Sequence, residues 1–206
     1  MKHHRLMRWH VWLGWLIGVP IILWTASGLL MVAQPIETVR GNHLRSEAPA
    51  LDAIDAVAPR LEGRQAKSLT LQQNNAGPFW VIAYADGGKR RADALTGALL
   101  SPVSGAEANA LARAARSDRA AIRSVTLFTA EDAPADQRSG RPSWQVVFDD
   151  DARFYIDADT GELLSVRTRF WRAFDFMWGL HIMDLQTRED SSHPVLIVSA
   201  ALALLG

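Results

Sequence analysis

The sequence predicts an α+β protein held in a membrane: an N-terminal transmembrane helix, an extracytoplasmic domain of two helix–strand–hairpin repeats, and the start of a second transmembrane helix. Three observations predict it. Residues 11–33 form a run of 23 positions without a charge. Residues 78–101 match residues 142–165 without a gap, at an offset of 64, with ten of 24 positions identical. The run from Val195 to Gly206 is uncharged and apolar.

The charge-free run follows Lys2, Arg5 and Arg8. At about 1.5 Å per residue it covers roughly 34 Å, enough for a hydrocarbon core of about 30 Å. A cleaved signal peptide competes with this reading, but its apolar region is usually about 7–15 residues and ends in a small-x-small site that is missing here. The basic head places residues 1–10 in the cytoplasm and the chain after Ala33 on the far side, with Trp9 and Trp12 in the inner aromatic belt. Pro20 is tolerable in lipid where Thr25, Ser27 or a neighbouring helix satisfies the freed backbone.

Composition narrows the chemistry. The 206 residues include 22 Lys+Arg, 22 Asp+Glu, six His, eight Trp and no Cys. Disulfides, thiolate metal sites, covalently attached haem and a cysteine nucleophile are thereby excluded. Zero net charge argues against nucleic acid as a partner and against a broad anionic-lipid surface. The average hides a partition, because three basic residues precede Val11 and 19 basic residues face 22 acids after it. The head carries +3 and the remainder −3.

The domain expected over residues 34–168 carries the repeat. Ala50 to Leu61 and Ser104 to Ser117 have helical spacing, followed by β-like runs Lys67 to Gln73 and Ala121 to Thr129. A hairpin with the Trp and the Asp-x-x-Thr-Gly turn ends each unit. Residues 130–141, rich in Pro, Asp, Gly and Ser, read as a mobile loop. Asp159-Thr160-Gly161 resembles an aspartic-protease string, yet its counterpart is Leu95-Thr96-Gly97, so a turn is expected. The acidic run 149–151 lacks the alternation of a calcium loop.

Residues 169–190 read as an amphipathic juxtamembrane helix, with His181 on its apolar stripe. Ser191-Ser192-His193-Pro194 is a helix-start signal. The helix over 193–206 covers about 18 Å from Val195, short of the roughly 30 Å of a bilayer core, which implies that the span continues beyond Gly206. His10, Gly14 and Gly18 recur every four residues on the first helix. This stripe is either a small-residue helix contact or a groove for a flat macrocycle with His10 as iron ligand. His181 is either a satisfied core residue or a ligand.

The pattern Arg8-Trp9-His10-x-Trp12-Leu13-Gly14-x-x-x-Gly18, then Trp24-x-x-Ser27-Gly28-x-x-Met31, resembles the first helix of PepSY-associated transmembrane proteins. Pro35-Ile36-Glu37-x-Val39-x-Gly41-x-His43-Leu44, the unit ending Asp157-x-x-Thr160-Gly161-Glu162, and Leu180-His181-x-x-Asp184 before His193-Pro194 resemble the same family over essentially the whole chain. The resemblance implies a bacterial inner-membrane protein with a periplasmic PepSY domain. It implies b-type haem, with His10, His181 and His193 as iron ligands and His43 as a weaker fourth. Gly14 and Gly18 would lie against the macrocycle. It further implies electron transfer across the membrane, ferric-reductase-like, to a ferric siderophore from a separate reductase donor. The alternative is a non-catalytic module that binds or regulates a periplasmic partner or peptidase. A protease finds no HExxH or paired catalytic string. Helix length keeps His10 roughly 30 Å from the other histidines, so two haems stacked across the bilayer are expected.

Overall fold

The computed structural model describes residues 2–51, 54–74 and 76–205. The fold is α+β, with an apolar N-terminal helix and two antiparallel sheets. It divides into two compact units, residues 1–39 with 169–206, and residues 40–168.

The first unit is helical. Helix α1 (Lys2–Val32) runs unbroken through Pro20 and is long and apolar enough to cross a membrane. Its large apolar side chains are exposed along the whole length, from Trp12 (68%) to Leu29 (70%). In water such a surface would be costly, and lipid removes the cost. A short turn, α2 (Ile36–Val39), follows, with the Pro35 carbonyl accepting from the Thr38 and Val39 amides. Helix α4 (Arg169–His181) packs on α1, and α5 (Pro194–Leu205) also touches α1. The amphipathic helix expected over 169–190 stops at His181, because the chain turns back on itself with Met183 and Arg188 at positive φ. Asp175 of α4 is buried and pairs with Arg188 at 2.7 Å.

The second unit holds both sheets. The first has the order β1 (Ala66–Asn74), β2 (Gly77–Tyr84), β3 (Lys89–Asp93). After helix α3 (Gly105–Ala114), the second has the order β4 (Ile122–Phe128), β5 (Ser143–Phe148), β6 (Arg153–Asp157), β7 (Leu163–Arg167). The hairpins share one register: Phe79 faces Asp93 and Trp80 faces Ala92, as Ser143 faces Asp157 and Trp144 faces Ile156. Each outer strand carries a bulge at the same place, between Ala66 and Ser68 and between Ile122 and Ser124.

Each hairpin tryptophan ties down the chain that precedes its unit. The Trp80 indole donates to the Val57 carbonyl at 2.8 Å, and the Val57 amide donates to Ala94. The Trp144 indole donates to the Val103 carbonyl at 2.8 Å, and the Val103 amide donates to Ala158. Val57 and Val103 are therefore equivalent, and this explains a correction. The helix expected over Ala50 to Leu61 does not form among the described residues 54–61, Asp52 and Ala53 lying outside them. Nine positions separate Val57 from the start of β1 against nineteen from Val103 to β4, a difference equal to the ten residues of α3. Pro59 also keeps Ala58 extended. In the second copy, Ser104 caps α3 by accepting from the Glu107 amide.

The Asp-x-x-Thr-Gly segments are turns. Asp93 accepts from the Leu95 and Thr96 amides, and Asp157 from those of Asp159 and Thr160. Gly97 has φ +69°, and a Cβ there would lie 2.5 Å from the Ala58 carbonyl oxygen. The stretch 130–141, expected to be mobile, is tied down. Asp136 accepts from the Tyr155 hydroxyl at 2.6 Å and from Arg153 at 2.9 Å, while its carbonyl accepts from Arg167. Burial pushes the Tyr155 phenol up, and the neighbouring Asp136 carboxylate adds to this.

The main core packs Val146, Phe148, Phe154, Ile156 and Val166 of the second sheet against Ala112 of α3. Arg91 of β3 reaches Glu107 of α3 with two hydrogen bonds, and Gln72 of β1 donates to Glu162, so the two sheets are joined by polar contacts. The buried Arg116 guanidinium lies 4.4 Å from the Phe148 ring centroid and pairs with Asp118 and Asp150.

Two outcomes are expected. Gly97→Ala should destabilise residues 40–168 by at least about 1–2 kcal/mol, the usual cost of a left-handed L-residue, measured as faster amide exchange. The Arg116 guanidinium holds Asp118 down at about 2 and lowers Asp150 as well. Both carboxylates thus stabilise the fold above the ordinary carboxylate range of about pH 4, and this stabilisation is lost as pH falls from about 4 towards 2. Thermal unfolding of the wild type should drop steeply in that window, and Arg116→Met should flatten the dependence.

Candidate functional site

A seated histidine where α4 meets α1

Helix α4 ends on His181, and α1 presents Trp24, Ser27 and Gly28 to it. The His181 ring stacks on Trp24 at 4.9 Å between centroids and 16° between planes. Its Nδ1 lies 3.1 Å from the Ser27 hydroxyl and 3.2 Å from the Trp24 carbonyl oxygen. Ser27, itself buried, donates to that same carbonyl at 2.9 Å. Trp178, one turn back on α4, lies nearly parallel to the imidazole at 6.5 Å.

Gly28 makes the seat possible. A Cβ on it would stand 3.3 Å from His181 Cε1, closer than ordinary packing, while Trp24 already occupies a ring face. The ring is therefore held in one orientation through Nδ1, and Nε2 has no hydrogen-bond partner among the described residues. That is the arrangement in which a histidine serves as a ligand, one nitrogen fixing the ring and tautomer and the other free to bind.

The chain after α4 braces this end of the helix. Asp184 accepts from the Thr187 hydroxyl and from the amides of Gln186, Thr187, Glu189 and Asp190. The Thr187 hydroxyl and these amides hold its carboxyl well below the usual carboxylate range. The Trp178 indole donates to the Arg188 carbonyl at 3.1 Å. Beside the seat, an apolar recess of about 600 Å³ lies between α1 and α5, bounded by Pro20, Trp24 and Thr25 on one side and Leu196 and Ala200 on the other.

The other predicted residues are placed as follows. His10 is exposed on α1, and open space lies beside both Gly14 and Gly18, where an added Cβ would meet nothing within 4 Å. Seventeen residues of α1 separate His10 from Ser27, about 26 Å of helix, so His10 and His181 do not come together. His193 immediately precedes α5, with its Nδ1 buried and without a hydrogen-bond partner. His43 belongs to the other unit, in a 3₁₀ turn (Asn42–Leu44). It is exposed, and its carbonyl accepts from the Ser117 hydroxyl. Among the described residues, no group of three or more His, Asp or Glu side chains gathers as a metal site. Trp24, Ser27 and Gly28 are the site residues that helical spacing alone does not single out. The signal for them is the Trp-x-x-Ser-Gly string on the first helix.

Gly28→Val should loosen the α1–α4 contact by about 1–3 kcal/mol, as overpacking does, and Ser27→Ala by about 1 kcal/mol. Thermal unfolding in detergent, followed by tryptophan fluorescence, checks both, with Gly28→Val the more damaging.

The family model described as the PepSY-associated TM region matches residues 7–205. No curated protein and no solved structure matches the chain.

Proposed function

The chain belongs to the family of the PepSY-associated TM region, and we propose that it binds b-type haem in the bacterial inner membrane and carries electrons across it. Its localisation is the membrane, from the family and from α1. The observation that carries the haem reading is the seating of His181: Nδ1 engaged by Ser27 and the Trp24 carbonyl, Gly28 admitting the ring, Nε2 left over. Haem iron, when bound, supplies one-electron transfer by cycling between ferric and ferrous.

The residues present fit such a group. His181 offers a ring already ordered, so little side-chain entropy is lost on ligation. His193 offers an imidazole with an orphaned nitrogen, which burial makes costly and which a ligand or a proton partner would relieve. The recess beside Trp24 offers apolar walls that exclude water, and Gly14 and Gly18 leave a flat surface beside His10. The separation of His10 from His181 along α1 is too long for one iron and supports a relay of two centres. With residues 1–10 cytoplasmic and residues 34–168 periplasmic, the electrons arrive from a reductase donor and leave to a periplasmic ferric chelate such as a siderophore.

A second reading, a non-catalytic module binding a periplasmic partner or peptidase, is favoured by one feature. The outer strands β1 and β4 each leave one edge unpaired in their sheets, as peptide-binding edges do.

Haem content of the protein purified from haem-replete cells separates the two. His181→Ala should lose at least one haem equivalent, His10→Ala should lose another, and His43→Ala should lose less than either. Equal haem in all four proteins, or none in the wild type, would refute the proposal and leave the binding module.

A further inference from the structure

The cytoplasmic end of α1 carries a built surface that the haem reading does not use. Arg5, Arg8, Trp9 and Trp12 fall at i, i+3, i+4 and i+7, one face of the helix. Together with Leu13 and Leu16 they line a concave surface. All four are exposed, Trp9 by 75% and Trp12 by 68%. Neither guanidinium has an acidic partner among the described residues, and the first acid in the sequence is Glu37, beyond the far end of α1.

The charges sit at a defined depth. Arg8 precedes the charge-free run by three residues and Arg5 by six. At about 1.5 Å per residue they lie roughly 4.5 and 9 Å outside the hydrocarbon core. The headgroup layer on each side is about 5–7 Å thick, so the two guanidiniums bracket the plane of the phosphates. Trp9 and Trp12 stand one turn deeper on the same face, at the height of the glycerol and upper acyl chain, where indoles settle. A guanidinium fork matches a phosphate diester.

We infer that this face of α1 binds an anionic phospholipid, Arg5 and Arg8 holding the headgroup phosphate and Trp9 and Trp12 seating the glycerol end. Zwitterionic lipid offers the same phosphate but places an ammonium beside the arginines, so the surface selects for net negative charge. The inference rests on α1 lying in the membrane and is independent of haem.

The test is native mass spectrometry of the full chain equilibrated with equal phosphatidylglycerol and phosphatidylcholine of the same acyl chains. The wild type should retain phosphatidylglycerol over phosphatidylcholine by roughly 30-fold, from two basic residues near the phosphate plane. R5Q/R8Q should bring the ratio close to one, while R60Q/R119Q, which removes the same charge outside α1, should leave it intact. Circular dichroism should show unchanged helix content in both variants. Equal retention of the two lipids by the wild type would overturn the inference, as would loss of preference in R60Q/R119Q. Displacement of phosphatidylglycerol by millimolar inorganic phosphate would overturn it too, showing a free-phosphate site instead.

Discussion

The contact between the His181 imidazole and the Trp24–Gly28 turn of α1 is the constraint on which the membrane unit depends. It joins residues 154 positions apart, and it does so with an aromatic stack, a hydrogen-bonded nitrogen and a glycine that clears the way. Inside lipid there is no hydrophobic drive to press two helices together, so packing and polar contacts of this kind decide where they meet. α4 is anchored to α1 at this point, and the chain that leads on to α5 is gathered around Asp184 and braced against α4 by the Trp178 indole and the Asp175–Arg188 pair.

The same contact limits what His181 can be. A core histidine satisfies both ring nitrogens, whereas this one has Nδ1 within reach of a hydroxyl and a carbonyl and Nε2 without a hydrogen-bond partner among the described residues. Because the sequence has no cysteine, a haem here would be held without thioether attachment. The imidazole of fixed orientation lies near an apolar recess lined by Trp24, and towards the other end of α1 open space lies beside Gly14 and Gly18.

Much of the fold of residues 40–168 was legible in the sequence because hairpins are local. The offset of 64 placed Trp80 over Trp144 and Asp93 over Asp157, and the strand registers obey it residue for residue. The first-copy helix was not legible, because helical spacing over Ala50 to Leu61 carries no information about how few residues remain before β1. The order of the 130–141 loop was equally hidden, since it comes from Tyr155, Arg153 and Arg167, all distant in sequence from Asp136. For the site, periodicity identified His181 as a residue on an apolar face. What it packs against depends on tertiary contacts that no spacing encodes, and only the Trp-x-x-Ser-Gly string hinted at them.

The most direct measurement of the central claim is the reduced-minus-oxidised absorption spectrum of the protein in its native membrane. The account predicts b-type α and Soret bands, present in the wild type and diminished when His181 alone is replaced by alanine. A spectrum without those bands, or bands of full strength in the His181→Ala protein, would contradict it.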